Sequence, residues 1–428
     1  MRGIRLLVLG VIWLGSFFLA FDRVNISLAA PRIMEELAFD GVRMGLVLSA
    51  YYWGYMLGNF FGGLHGGQDR LRGVTTLLIL VWSALTALSG SCHTLWQFGA
   101  VRVAFGLAEG ATANLMHRLQ NNWLLPAERG RGYGIFIGFV YLGVALGMPL
   151  VGWLIKTWDW RVMFYLSGLM TLALVVLFWT VVRDHPAVHP WLPAAEGRAL
   201  HAAIAGDRER LEPAGNAPPT LDMGERLRRL FAIPHFWRLC VAAFFCIGVY
   251  FTNMSWLPGY LVRERGYSIL ASGIYLTIPY LAAFAGMWAA GALGDKLGNR
   301  SAVALVMGLL SCPAIIALAY SSEVNATIAL MSLMLFLNSA ALNGIMVLLF
   351  DIVPAEIFGA GVGLVGGLSG GLAGIVGPLL VGWLYDLTGS FVAGFYALAA
   401  GVVIGAVFLW PMIDHERQVK QAKRARQA

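Results

Sequence analysis

The stretch Arg102-Val-Ala-Phe-Gly-Leu-Ala-Glu109 places two opposite charges inside an apolar segment that runs from about Leu95 to Trp123. At about 100° per residue, seven residues make nearly two helical turns, so both charges lie on one helix face, roughly 10 Å apart along the axis. If this segment spans a membrane, both must face a protein interior or a water-filled cavity, because charge is costly in lipid. We therefore expect Arg102 and Glu109 to be functional residues.

The composition of the chain is that of a membrane protein. Of its 428 residues, 59% are hydrophobic and only 12% are charged, whereas soluble domains carry roughly 25% charged residues. Repeated apolar runs of about 20 residues predict transmembrane helices. The 52 glycines and 15 tryptophans suit close helix packing and interfacial aromatic belts. We therefore predict an all-α membrane protein.

Several functional classes are disfavoured by what the chain lacks. The net charge of +7 arises from residues in the loops between apolar runs rather than on one amphipathic face, which argues against nucleic-acid binding. The four cysteines have no spacing typical of a metal site or a disulfide framework. The sequence also has no Gly-x4-Gly-Lys loop and no His-Glu-x-x-His motif. We expect no metal, no cofactor, no nucleic-acid partner and no enzymatic activity.

Twelve apolar runs are long enough to cross a membrane. Their approximate limits are 4–30, 42–67, 74–93, 95–122, 131–156, 161–183, 236–262, 269–294, 300–321, 325–349, 358–385 and 390–413. The first run contains Asp22 and Arg23 and lacks a clear cleavage site, so we interpret it as a transmembrane helix rather than a removed leader. The predicted organisation is an N-terminal six-helix bundle (1–183), a cytoplasmic linker (184–235), a C-terminal six-helix bundle (236–414) and a basic cytoplasmic tail (415–428).

The distribution of basic residues predicts the orientation. Most of the 30 Lys and Arg residues fall in loops on the side that would also hold both termini. By the positive-inside rule, this asymmetry predicts a multi-pass protein of the cell (inner) membrane with both termini in the cytoplasm. Arg23 and Arg102 lie inside predicted spans and are exceptions to this pattern.

The two halves of the chain repeat. Asp69 and Asp295 both follow a glycine-rich helix end, at an offset of 226 residues. The triplet Pro-Ala-Glu at 126–128 recurs at 354–356, and Val-Gly-Trp-Leu at 151–154 recurs at 381–384, at offsets of 228 and 230. A duplicated six-helix unit is typical of the major facilitator fold, in which substrate binds at the midplane between two pseudo-symmetric six-helix bundles.

Motifs along the whole chain resemble the anion:cation symporter family of major facilitators. They are Asp22-Arg23-Val-Asn25-Ile-Ser27, Arg102 to Gly110 followed by Trp123, Pro126, Glu128 and Arg129, Trp256-Leu-Pro258-x-Tyr260, Asn343-Gly344, Asp351-x-x-Pro354, and Gly382 to Phe391. That family contains permeases for hexonates, hexuronates, glucarate, tartrate and aromatic acids. The resemblance implies transport of an organic anion driven by protons.

The resemblance also implies roles for four charged residues. In relatives the arginine of the first span meets the substrate carboxylate, which assigns that role to Arg23, and an arginine offers an anion a bidentate fork. Asp22 and Glu109 would couple protons, with Arg102 tuning Glu109. Two structural alternatives stay open: Arg23 paired with Asp22 or Glu109, and a permanently ionised Arg102–Glu109 pair.

Other polar residues in the spans are candidates for substrate contact. Tyr55 matches a tyrosine that relatives use for substrate, and Tyr51 or Tyr52 can share its helix face, although packing against a neighbouring helix is the alternative for each. The remaining candidates are Asn25, Tyr250, Asn253, Asn338, Asn343 and Ser369. His117 matches a histidine of some animal relatives and is either part of a proton path or a hydrogen-bonded structural residue.

Two departures from the family bear on the substrate. Ala20 stands where many sugar-acid members have a tyrosine, and residues 366–371 carry only Ser369 where many have asparagines. A polyhydroxylated substrate needs those hydrogen bonds. The departures therefore favour a less hydroxylated or aromatic carboxylate.

The loops after the second and eighth spans carry the acidic–basic cluster typical of major facilitators. An Asp at a helix end can pair with arginines and with the N-terminus of a neighbouring helix in one conformation only. We predict a conformational lock formed by Asp69, Arg70, Arg129, Asp295, Lys296 and Arg300. A tight turn with solvated charges is the alternative.

Together these features predict proton-coupled import of an organic carboxylate anion by alternating access. The expected partners are a small organic anion, protons and the lipid bilayer, and we expect the protein to function as a monomer. A passive facilitator or anion exchanger without proton coupling is one alternative, and a substrate sensor that does not transport is another.

Overall fold

The computed structural model describes residues 2–64, 70–125, 128–211, 223–354 and 357–427. Within these ranges the chain forms helices and turns and no strand, which confirms the predicted all-α class. Twelve long helices in these ranges correspond in order to the twelve predicted spans. They are α1 (Arg2–Glu36), α2 (Gly41–Leu64), α3 (Leu71–Ser89), α4 (Leu95–Asn121), α5 (Arg129–Thr157), α6 (Trp160–Val181), α9 (Phe236–Arg263), α10 (Ile269–Leu297), α11 (Arg300–Tyr320), α12 (Val324–Ile352), α14 (Ser369–Thr388) and α15 (Val392–Leu409).

Four shorter helices lie outside or beside these spans. The region predicted as a linker contains α7 (Ala194–Leu211) and α8 (Met223–Ala232). A short helix, α13 (Phe358–Val362), continues through the π-helical turn Gly363–Leu368 into α14. The last helix is α16 (Met412–Gln427), which occupies the region predicted as a tail.

Ten of the long helices are apolar enough to cross a membrane by length and composition, and α2 and α4 fall outside that group. The hydropathy of α2 and α4 is lower because they carry tyrosines, glycines and charged residues. Charged positions in α4 include Arg102 and Glu109, both buried. These two helices pack on each other, α2 also packs on α14, and both keep exposed apolar residues such as Trp53 and Leu107 on their outer surface.

Glycines let α2 and α4 approach to backbone contact. Gly54 and Gly58 on α2 face Gly106 and Gly110 on α4, in two copies of a glycine spacing of four. A Cβ added at Gly106 would overlap the carbonyl oxygen of Tyr51, and one added at Gly54, Gly58 or Gly110 would likewise overlap backbone of the partner helix. Small residues at this spacing are how membrane helices pack closely. The contact brings the tyrosines of α2 directly against Glu109.

The helices form two bundles that meet along two pairs of helices. In the first half, α1 packs on α5, α2 on α4, and α3 on α6. In the second half, α12 packs on α10 and α11, while α9 packs on α14 and α15. The halves meet where α2 packs against α14 and where α5 packs against α10. The space between the two pairs is where a midplane site of a duplicated fold lies.

A pair of carboxylates repeats the pseudo-symmetry in three dimensions. Asp184, just after α6, accepts a hydrogen bond from the Arg72 amide at the start of α3, at 2.6 Å. Glu416, just after α15, accepts from the amides of Arg300 and Ser301 at the start of α11, at 3.0 and 2.8 Å. Each carboxylate therefore caps the positive end of a helix in its own half. The second cap also docks α16 onto the bundle, so the residues predicted as a tail begin with a buried contact.

The bundle has two faces, which we define by α1. The terminal face is the one where α1 begins and α15 ends, and the far face is the one where α1 ends and α2 begins. At the far face, Asp386 of α14 accepts from the amides of Gly41 and Val42 at 2.6 and 2.7 Å. A Cβ at Gly41 or Gly382 would overlap backbone of the opposite half. The two halves are thus closed against each other at the far face.

The glycine contact between α2 and α4 makes a prediction about stability. Gly106→Val adds a Cβ that overlaps the Tyr51 carbonyl, so we expect a destabilisation of about 1–3 kcal/mol or more. Thermal unfolding of the purified protein in detergent measures it. Gly99→Val is the matched control, because Gly99 lies on the same helix and its Cβ would meet open space. Equal melting temperatures for the two variants would contradict this packing.

The Asp386 contact makes a prediction about the far face. Asp386→Ala removes the carboxylate that accepts from Gly41 and Val42, so these amides lose their partner and we expect the start of α2 to exchange hydrogen faster. Hydrogen–deuterium exchange of a peptide that covers this segment measures the change. Glu35→Ala is the control, since Glu35 lies near the same face and pairs only with the exposed Arg32 in the described part of the chain. An unchanged exchange rate in Asp386→Ala would show that the carboxylate does not hold the two halves together.

Candidate functional site

The centre of the N-terminal half holds an ion pair between Arg23 of α1 and Glu109 of α4. The Oε1 atom of Glu109 accepts hydrogen bonds from Nη2 of Arg23 and from the hydroxyl of Tyr51, the latter at 3.0 Å. Glu109 is fully buried, whereas the Arg23 side chain keeps 13% of its surface exposed. The guanidinium carbon of Arg23 lies 5.2 and 5.0 Å from the ring centroids of Tyr51 and Tyr55. Arg23 is therefore the less buried member of the pair.

This pairing is one of the two structural alternatives that the sequence left open, and Arg102 takes no part in it. The Nη2 atom of Arg102 donates to Ser89 Oγ at 3.4 Å, and its guanidinium lies 5.3 and 5.4 Å from the rings of Phe105 and Phe164. Side chains on a helix lean toward its N-terminus, so Arg102 extends toward the start of α4 and away from Glu109. The direct Arg102–Glu109 pair, which was the other alternative, does not form, and Glu109 pairs with Arg23 instead. Arg102 is a second buried positive charge nearer the far face.

Asp22 is buried in a cage of hydrogen-bond donors inside the N-terminal half. It accepts from Trp82 Nε1 at 2.6 Å, from Thr171 Oγ1 at 2.7 Å and from Asn25 Nδ2 at 3.1 Å. Neighbouring residues of a helix point about 100° apart, so Asp22 faces α3 and α6 while Arg23 faces α2 and α4. Asn25, predicted as a substrate contact, is instead fully buried and supports Asp22.

Sequence reasoning missed Trp82 and Thr171. The signal available for them was an indole and a hydroxyl in the middle of apolar runs, where an unsatisfied donor is costly. That signal indicates that each donor needs a hydrogen-bond acceptor, but it does not identify the acceptor. Only the packing of α6 against α1, and of α3 against α6, brings these donors to Asp22.

Aromatic side chains fill the interface between the two halves beside Arg23. The Tyr52 ring lies 4.7 Å from Phe251 and would collide with any side chain at Gly374. Tyr250 lies 5.9 Å from Tyr141. We call Tyr52, Tyr141, Tyr250 and Tyr280 the tyrosine cluster. All four rings are buried, and Tyr141 and Tyr280 were not among the sequence-predicted site residues.

Three candidates from the C-terminal half bind backbone carbonyls of that half. Asn253 Nδ2 donates to the Val249 carbonyl at 2.8 Å, and Asn343 Nδ2 donates to the Met287 carbonyl at 2.8 Å. Ser369 Oγ donates to the Leu364 carbonyl at 3.1 Å, beside the π-helical turn. The structure therefore does not bring these three side chains to Arg23, and Tyr250 is the predicted C-terminal contact that it places near that residue.

His117 is packed between aromatic rings. Its imidazole centroid lies 5.2 Å from Tyr133 and 4.0 Å from Phe136. Both rings belong to α5, so the histidine contributes to the contact between α4 and α5. Its predicted place in a proton path has no described carboxylate partner beside it.

The predicted lock residues are divided between described and undescribed parts of the chain. Asp69 lies outside the described residues, and the side chain of Asp295 lies outside them as well. Arg70 and Lys296 are exposed, and Arg300 packs its side chain on Gly294. The side chain of Arg129 is half-buried at the start of α5.

A neighbouring charge pair at the terminal face was absent from the predicted lock. Glu128, before α5, pairs with Arg5 of α1 and also accepts from the Leu125 amide at 3.0 Å. Partial burial disfavours the charged form of Glu128, but the hydrogen bonds from Arg5 and Leu125 outweigh it and hold the pKa of this carboxyl below its usual value.

Comparison with known proteins agrees with this architecture. A family model described as Major Facilitator Superfamily matches residues 12–341 and, in a second match, residues 273–428. The chain is 30% identical to a probable galactarate/D-glucarate transporter of Escherichia coli K12, over 98% of this chain and 96% of that protein. It is 28% identical to a probable sulfoacetate transporter of Cupriavidus necator, over 99% and 98% of the two chains.

Solved structures agree at the level of the fold. A bacterial homologue of the human lysosomal transporter Spinster, in an inward-facing and unoccupied conformation, superposes with a TM-score of 0.74. The two sequences are 18% identical, and the match covers 98% of each chain. This likeness confirms the architecture of two six-helix bundles that the internal repeat predicts.

Proposed function

The chain belongs to the Major Facilitator Superfamily, and from that premise we propose that it imports an organic carboxylate anion together with protons by alternating access. It is a transporter rather than an enzyme. The relatives named for galactarate, D-glucarate and sulfoacetate support an organic acid as the cargo. The observation that carries the proposal is the ion pair between the accessible Arg23 and the buried Glu109.

Through this ion pair, binding of a proton to Glu109 and binding of an anion to Arg23 affect each other. Glu109 and a substrate carboxylate compete for the same guanidinium. Removing one partner of a buried ion pair costs about 3–5 kcal/mol because the other charge is left uncompensated. Protonation of Glu109 leaves Arg23 uncompensated, and an arriving carboxylate restores its partner. Each event therefore favours the other, which is the reciprocal linkage that symport requires.

Asp22 is the second proposed proton site. Thr171 can donate to an ionised Asp22 and can accept from a protonated one, because a hydroxyl does both. The cage of Trp82, Thr171 and Asn25 can therefore hold the carboxyl in either state. In this proposal Arg102 is a fixed positive charge near both Asp22 and Glu109, so its influence on them is electrostatic and does not require a direct hydrogen bond.

The orientation in the membrane follows from the excess of Lys and Arg on the terminal face. We place that face in the cytoplasm, with both termini, and the far face outside the cell membrane. The Asp386 contact then closes the outer side of the molecule. The acidic–basic loops, with Asp69 and Asp295, would brace the opposite conformation, in which the terminal face closes. We propose a monomer as the working unit.

Replacement of Glu109 tests the proton coupling. Glu109→Gln mimics a permanently protonated carboxyl, so we expect anion exchange to continue while uptake no longer responds to an imposed pH gradient. The measurement uses proteoliposomes, with a radiolabelled organic acid chosen by thermal stabilisation of the purified protein. Counterflow and gradient-driven accumulation are compared in the two proteins.

An exposed carboxylate provides the control for this experiment. Glu323→Gln changes a carboxylate on the surface before α12 and is expected to behave as the wild type. Full gradient-driven accumulation by Glu109→Gln would remove Glu109 from the coupling mechanism. Wild-type transport without any gradient dependence would favour a passive facilitator or an anion exchanger instead. Binding without any flux would favour a sensor.

A further inference from the structure

We propose that the substrate is an aromatic monocarboxylate whose ring carries an oxygen substituent, and that Tyr280 selects it through that oxygen. This inference rests on the proposed function and narrows the class of anion. Three observations lead to it: the number of cations at the site, the character of its walls, and one buried hydroxyl without a partner.

The number of cations restricts the charge of the substrate to one carboxylate. In the C-terminal half, residues 239–262, 266–295 and 301–414 contain no Lys, Arg or His. In the N-terminal half, Arg102 is 2% exposed and packed between two phenylalanines, and the other arginines of the described spans lie toward the helix ends. Arg23 is therefore the partly exposed arginine beside Glu109. A second carboxylate on the substrate would lose its hydration on entering the site and would find no cation there. Burying an unpaired charge in this way is strongly unfavourable.

The walls of the site favour a flat, apolar body over a polyol. Arg23 is flanked by the rings of Tyr51 and Tyr55, and Phe251 of the C-terminal half lies against the neighbouring Tyr52. Side-chain amides are the groups that would replace water around sugar hydroxyls. Asn253 and Asn343 already donate to backbone carbonyls of their own half. A ring can stack on these walls, whereas a polyol would lose hydrogen bonds to water without replacement.

Tyr280 supplies the polar contact that a plain aromatic acid would not use. Its side chain is fully buried, and its hydroxyl has no hydrogen-bond partner within the described structure. Tyr280 belongs to the same buried core as Tyr141 and Tyr250, whose ring centroids lie 5.9 Å apart. A buried hydroxyl without a partner is costly. An oxygen on the substrate ring would provide the missing partner, so Tyr280 determines specificity rather than overall affinity for anions.

A set of four acids tests this inference by binding to the purified wild-type protein. The probes are benzoate, 4-hydroxybenzoate, terephthalate and gluconate, measured by isothermal titration calorimetry. We expect 4-hydroxybenzoate to bind about tenfold more tightly than benzoate, the ratio for one additional hydrogen bond of about 1.4 kcal/mol. We expect no measurable binding of terephthalate, which adds a second carboxylate, or of gluconate, which is a polyhydroxylated monoanion.

Substitution of Tyr280 assigns the selectivity to its hydroxyl. Tyr280→Phe is expected to weaken 4-hydroxybenzoate about tenfold, to the level of benzoate, and to leave benzoate unchanged. Tyr267→Phe is the matched control, because the Tyr267 hydroxyl also lacks a partner in the described structure but lies before α10, against Tyr275. Equal weakening of both acids by Tyr280→Phe would overturn the assignment. The wild-type ratios test the substrate class even if this variant does not fold.

The outcomes separate this inference from the function on which it rests. Binding of gluconate or terephthalate that Arg23→Gln abolishes would overturn the aromatic monocarboxylate and leave organic-anion transport standing. Absence of binding by every acid of a wider panel, including sugar acids, diacids and sulfonates, would overturn both. Retention of all binding in Arg23→Gln would place the anion elsewhere and overturn both as well.

Discussion

An arginine and a glutamate that meet inside a lipid-spanning bundle are the constraint on which the remaining structure depends. Neither Arg23 nor Glu109 is tolerable alone at that depth, so each must be matched by the other or by a charge brought from outside. The pair is asymmetric, because Glu109 is sealed while Arg23 is partly open. In the proposed mechanism, that asymmetry lets a substrate anion displace the Glu109 carboxylate from Arg23.

The helix packing around the pair keeps Glu109 buried and Arg23 partly exposed. Glycine contacts draw α2 onto α4, which brings Tyr51 within hydrogen-bond distance of Glu109 and places its ring beside Arg23. Asp22 is directed to the other side of α1, into its own cage of donors. Asp22, the neighbour of Arg23 in sequence, and Glu109, its partner in space, thus occupy separate environments with separate hydrogen-bond partners.

Carboxylates at helix ends organise the two faces of the molecule. Asp184 and Glu416 cap equivalent helices within each half, and they are properties of the bundles themselves. Asp386 differs, because it joins one half to the amide end of a helix in the other. In the proposed alternating access, a contact within a half persists when the halves rock, whereas a contact between halves must break. Capping of helix amides by a carboxylate therefore stabilises each half at Asp184 and Glu416. At Asp386 the same interaction would stabilise one arrangement of the two halves.

The sequence by itself determined the all-α membrane class, the twelve spans, the repeat and the presence of intramembrane charge, because length, hydropathy and spacing are local properties. The sequence could not determine which side chains on different helices contact each other. The helical period relates residues of one helix, such as Arg102 and Glu109, but it is silent on which neighbouring helix each of them faces. Only the tertiary structure paired Glu109 with Arg23 and directed Asn253 and Asn343 to backbone carbonyls. Those choices arise from how the helices pack, which depends on contacts between residues far apart in the chain.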